Sequence, residues 1–184
     1  MFFRKTEIER ADLLGERLVG GATETASIIL EEMGKRYNVR LRDADAAPQF
    51  IIEVIVFFMH LVDRMAFGIL GWEKREIFGD RLQVAVTKEI LAELSKDISA
   101  DDFGEALRET YNRRQMQYSR YKLLVPNEKD DPLKDTLYWE VSKILFEYIN
   151  NYNPVTLVFM NMLVIDVSDV FLTKAANAEE VLRS

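Results

Sequence analysis

Glu53, His60 and Arg64 are the residues whose types and spacing could do chemistry. On a helix they fall within about 40° of one another, with Asp63 at the edge of the same stripe. If the stripe lined a cleft, Asp63 or Glu53 could orient His60 as a general base while Arg64 held an anion, as a hydrolysis or proton transfer requires. The alternative is a narrow wet face, on which the charges are solvated and His60 is a half-buried, hydrogen-bonded side chain.

A second candidate site is the carboxylate pair Asp166 and Asp169, which precedes Thr173 at helical spacing. Facing Glu53 or His60 from a neighbouring helix, these oxygens could bind a divalent ion. The alternative is that the last turns of this helix emerge into water. The chain has one histidine and no cysteine, so a transition-metal site would be mostly carboxylate, and we expect neither a metal nor a cofactor.

Tyrosines and cations alternate between residues 111 and 122, where Arg113, Arg114 and Arg120 are the arginines. Aromatic rings and arginines are what single-stranded nucleic acid requires. The tyrosines nevertheless fall on one helical face, as a core stripe does, and the net charge of −7 repels phosphate backbones. Nucleic acid is therefore not the expected partner.

Trp139 and Phe146 lie to one side of the main apolar stripe of a predicted helix, which they widen to more than half the circumference. Large aromatic side chains beyond the needs of one core often anchor partners. This pair predicts an interface through which the chain forms a homo-oligomer or binds a protein partner. The alternative is a helix wedged between two neighbours, which would bury both rings.

Caps, prolines and apolar periodicity predict an all-α bundle, because no segment beyond the short 39–42 alternates as a strand does. A capping-box pattern opens the first helix at Thr6 and Glu9, Asn153 precedes Pro154 at the start of the last, and Gly20 and Gly21 could divide the first. The predicted helices cover about 6–37, 48–70, 73–96, 100–122, 132–151 and 154–175.

Two of these helices, 48–70 and 154–175, are apolar over most of their circumference, which predicts that they lie at the centre of the bundle. Neither is expected to span a membrane. Spanning requires about 20 apolar residues, and each apolar run has about 12 before a charge enters.

At 184 residues, with 48% apolar and 30% charged residues, the chain is expected to form one domain over 1–184. Its first residues lack the apolar stretch of a secretory signal, so we expect a cytoplasmic protein. The sequence favours a non-enzymatic interaction or scaffold protein that self-associates. The alternative function is a small enzyme or ligand-binding bundle with a polar site around His60.

Overall fold

The computed structural model describes residues 6–93, 100–121, 135–151 and 153–184. No strand forms within these ranges, although an isolated antiparallel bridge joins Leu41 to Ile149. The all-α prediction is thereby confirmed. In chain order the helices are α1 (Glu7–Tyr37), α2 (Ala46–Leu70), α3 (Trp72–Glu93), α4 (Ala100–Tyr118), α5 (Leu137–Phe146), α6 (Pro154–Val170) and α7 (Ala178–Arg183), with a π-helical turn (Phe171–Ala175) after α6.

Helix α1 begins with the predicted capping box. The Thr6 hydroxyl accepts from the Glu9 backbone N–H at 3.3 Å, and the Glu9 carboxylate accepts from the Thr6 N–H at 2.8 Å. The two adjacent glycines do not divide the helix, which runs unbroken to Tyr37. The residues that recur at helical spacing on its inner side are all buried, namely Ala11, Leu14, Leu18, Ala22, Thr25, Ile29 and Met33.

Helix α2 is the central helix, as its composition predicts. Every residue from 53 to 63 is buried, and α1, α3, α4, α5 and α7 all pack around it. A helix that is apolar on all sides gains most from this position, since each face meets another apolar surface.

Helix α6 is not central, so the prediction for residues 154–175 is wrong in this respect. It packs on α1 and α5 through one side only. The side chains of α6 that this packing buries are Thr156, Met160, Asn161, Val164 and Ser168. Because five other helices already surround α2, α6 lies at the outside of the bundle.

Helix α5 is shorter than the predicted 132–151. The Thr136 hydroxyl accepts from the Trp139 N–H at 3.2 Å and caps the helix one residue before Leu137. Residues 132–134, with the predicted start at Pro132, lie outside the described ranges. After Phe146 the chain turns, and the Asn150 N–H donates to the Arg40 carbonyl at 2.9 Å, which ends the helix well before 151.

Helix α7 was not predicted. Asn177 precedes it in the left-handed region, with φ of 45°, and its apolar residues Val181 and Leu182 are buried. The Arg17 guanidinium donates to the Ala176 carbonyl at 2.7 Å, which fastens this end of the chain to α1.

Candidate functional site

A buried ion pair joins the central helix to α4. Arg114 donates to both carboxylate oxygens of Glu53, at 2.8 and 2.5 Å, and also to the Gln117 side chain at 2.7 Å. Gln117 in turn donates to Glu140 of α5 at 2.7 Å. Burial, the largest effect, disfavours the charged guanidinium, but the hydrogen bonds to Glu53 and the attraction of its charge together raise the pKa of Arg114. Glu53 thus pairs with Arg114 rather than with His60.

His60 is buried and hydrogen-bonded to Gln115 of α4, through its Nδ1 and the amide oxygen. An amide oxygen only accepts, so Nδ1 carries the proton and Nε2 holds a lone pair. Among the described residues Nε2 has no hydrogen-bond partner. Burial, chiefly, lowers the pKa of His60 to about 4, so the imidazole is neutral at pH 7.

Asp63 pairs with an arginine that sequence reasoning did not single out. Arg75 of α3 donates to both of its oxygens, at 2.8 and 2.5 Å, and the hydrogen bond to Asp63 raises the pKa of Arg75. The Arg75 guanidinium also lies 5.6 Å from the Trp72 ring centroid and 5.9 Å from that of Phe67. Arg64, by contrast, donates to the Tyr121 carbonyl at 2.8 Å.

The predicted acid, imidazole and guanidinium, Glu53, His60 and Arg64, therefore share a helix but do not form one hydrogen-bonded group. Glu53 bonds to Arg114, Asp63 bonds to Arg75, and only Gln115 links Asp63 with His60, its amide nitrogen lying 3.4 Å from Asp63 Oδ2. The general-base arrangement, with a carboxylate directly on the imidazole, does not form. Periodicity on α2 could not identify partners that come from other helices.

A cleft of about 460 Å³ opens beside this network, between α3 and α4. Its wall includes Asp63, Trp72, Arg75, Tyr111 and Gln115. The Gln115 amide donates to the Tyr111 hydroxyl, so a chain of polar contacts runs from the cleft to buried His60. A second groove, about 1040 Å³, shares Asp80, Gln83 and Asn112 with the cleft and continues between the same two helices.

The carboxylate pair Asp166 and Asp169 lies on the exposed side of α6. The partners proposed for it, Glu53 and His60, form their hydrogen bonds to α4 instead. In the part of the chain that the structure describes, no three His, Cys, Asp or Glu side chains are grouped so that they could hold a metal ion.

The predicted interface residues have different surroundings. Phe146 is only 2% exposed and belongs to the hydrophobic core, so its ring is not offered to a partner, while Trp139 is half-buried. The wedged-helix alternative accounts for Phe146, because α5 packs between α2 and α6.

The tyrosine and arginine segment offers little stacking surface. Tyr111 and Tyr118 are buried, and Arg114 is held by Glu53, which leaves Arg113 and Arg120 exposed. Stacking of bases requires accessible rings.

Sequence reasoning missed the outward side of α6. Exposed residues recur there at helical spacing, and we call this set the α6 face: Val155, Val158, Met162, Asp166, Asp169 and Val170. By length and composition alone, Pro154–Thr173 is apolar enough to cross a membrane, with a mean hydropathy of 1.9, and 33% of its most apolar window is buried. This long apolar segment was missed because the apolar residues were counted only as far as the charge of Asp166.

Comparison of the chain with protein-family models, with curated proteins and with solved structures returned no match.

Proposed function

We propose that this chain is a non-enzymatic interaction protein that associates with a second copy of itself through the α6 face. The observation that carries the proposal is an apolar helix left largely uncovered, with Val155 61% and Met162 52% exposed. Contiguous exposed apolar surface on a folded domain is typical of an interaction site, because its hydration is unfavourable.

A second copy suits this face better than a lipid surface does. Peripheral helices usually present lysine and arginine beside their apolar side chains, whereas the α6 face carries Asp166 and Asp169. The face is about 22 Å long at 1.5 Å per residue, which is small for a permanent interface. We therefore expect a reversible dimer whose population rises with protein concentration.

The test compares two methionine variants by light scattering after size exclusion. Met162→Lys places a charge at the centre of the α6 face, and Met116→Lys places the same charge at an exposed position on α4. We expect the wild type and Met116→Lys to form dimers at high concentration and Met162→Lys to stay monomeric. A wild type that is monomeric at every concentration contradicts the proposal. If that monomer sediments with phospholipid vesicles, a lipid surface is the occupant instead.

The second candidate function is binding of a small organic cation in the cleft between α3 and α4. It is favoured by the combination of the exposed Trp72 ring with the carboxylates of Glu76 and Asp80 along one side of α3. A ligand in the cleft would alter the surroundings of buried His60, because Gln115 contacts both Asp63 and His60.

His60 is the only histidine, so the imidazole signals in an NMR spectrum all belong to it and can test this candidate. Benzylamine, which combines a ring with a cation, serves as the probe. We expect it to shift the His60 signal and to quench the part of the tryptophan fluorescence that comes from Trp72 rather than Trp139, with both effects lost in Asp80→Asn. An unchanged imidazole signal at saturating probe would count against the cleft.

A further inference from the structure

We propose that the two copies pair antiparallel along α6, across a two-fold axis beside Met162, so that Arg36 of each copy meets Asp166 of the other. This inference rests on the self-association proposed above and adds its register and its charge recognition. The occupant of the α6 face is then a second copy of the same face, as an isologous interface requires.

The distribution of residues along α6 suggests the position of the axis. Met162 lies near the middle of the face, with the apolar side chains Val155 and Val158 before it and the carboxylates of Asp166 and Asp169 after it. An antiparallel pair centred there sets Val155 against Val170 and Phe159 against Asp166. A parallel pair would instead bring the four carboxylates together, and like charges in contact disfavour association.

Arg36 supplies the positive charge that an Asp166 carboxylate of the second copy would need. Its guanidinium lies 4.9 Å from the Phe159 ring centroid. Phe159 and Asp166 are seven residues apart, about 20° around the helix, so both lie on the same side of the face. In an antiparallel pair related by a two-fold axis, residues on one side of the face meet residues on the same side of the second copy. Asp166 of one copy therefore lies beside Phe159 and Arg36 of the other.

Arg36 is also available for this contact. Its side chain is 62% exposed, and its ion pair with Glu32 is long, at 3.6 Å. In the described part of the chain, Asp166 forms no ion pair. Exposed ion pairs are individually weak, but the two-fold axis repeats this one, so every charge change acts twice.

The test uses two charge reversals that should repel as homodimers and attract as a mixture. Arg36→Glu brings two carboxylates together at both copies of the contact, and Asp166→Arg brings two guanidinium groups together there. In a mixed dimer both contacts pair opposite charges. One contact pairs the two wild-type residues, and the other pairs the two reversed ones.

We expect the dimer dissociation constant of each single variant to rise roughly tenfold, and that of the mixture, measured by native mass spectrometry, to fall well below that of either variant alone. The double variant, which carries both reversals in one chain, should return close to the wild-type value, because each contact then pairs opposite charges again. Arg42→Glu changes an exposed arginine with a local partner in Asp43, and as the matched control it should leave the dimer unchanged.

The outcomes separate the register from the self-association itself. Recovery of the dimer in the double variant supports the register. If wild type dimerises and Met162→Lys does not, but the charge variants dimerise normally, the register is wrong and the interface stands. A wild type without any dimer overturns both proposals.

Discussion

Glu53 and Arg114 stand 61 residues apart in the chain and form a two-point ion pair, with N–O distances of 2.8 and 2.5 Å, between the central helix and α4. Both are largely withdrawn from water, since the Glu53 side chain is 4% and the Arg114 side chain 13% exposed. Removing one member leaves the other as an uncompensated buried charge.

Arg114→Met should therefore lower the free energy of unfolding by about 3 kcal/mol, as measured by urea denaturation. The double variant Glu53→Met with Arg114→Met should recover most of that loss, because neither charge is left buried alone.

Arg81→Met provides the control for this prediction. Arg81 also makes a two-point pair, with Asp12, but at an exposed site, so its loss should lower the free energy of unfolding far less than the loss of Arg114 does. Equal losses at Arg81 and Arg114 would contradict the role assigned to burial.

His60 should make the fold sensitive to acid. Its pKa is about 4 in the folded protein and 6.5 ordinarily, so between these values the unfolded chain binds the proton more strongly. Folding should thus lose about 3 kcal/mol of stability as the pH falls from about 6.5 to about 4, with no further loss from this group below that range.

The measurement is the difference in unfolding free energy between wild type and His60→Gln across this pH window. The difference removes the titration of the carboxylates, which both proteins share. If it is independent of pH, the imidazole is not held in its neutral form by burial.

Two glycines of α1 should respond in opposite directions to alanine. A Cβ at Gly15 would lie 2.6 Å from the Ala85 Cβ of α3, whereas one at Gly20 meets nothing within 4 Å. Gly20→Ala should stabilise the protein by about 0.5–1 kcal/mol through helix propensity. Gly15→Ala should destabilise it by about 1–3 kcal/mol, because α1 and α3 must move apart. Thermal unfolding of both variants checks this, and a stabilising Gly15→Ala would show that the contact can relax.

Local chemistry was sufficient to predict where helices begin when the cap and its partner are neighbours in sequence. Thr6 with Glu9 and Asn153 with Pro154 both form the predicted starts. The place of an apolar helix in the bundle is a different matter, since α2 and α6 have similar compositions and only α2 is enclosed. Enclosure depends on which other helices cover it, and spacing within one helix carries no information on this.

The candidate site, likewise, could be predicted from the sequence only in part. The periodicity of α2 correctly placed Glu53, His60 and Asp63 on one helix, but their partners Arg114, Gln115 and Arg75 come from α4 and α3. Those contacts follow from tertiary packing. The structure does not bring the polar stripe of α2 into one group, because Glu53 pairs with Arg114 and Asp63 pairs with Arg75.

Spin-label distances show whether the α6 face of one copy packs on that of another. The chain has no cysteine, so Met162→Cys and Met116→Cys each carry a single label. Packed helix axes lie about 8–10 Å apart, so labels at residue 162 should lie within roughly 20 Å of each other in the dimer, and labels at residue 116 should be farther apart. If the dimer forms and the labels at residue 162 show no short distance, the α6 face is not the interface.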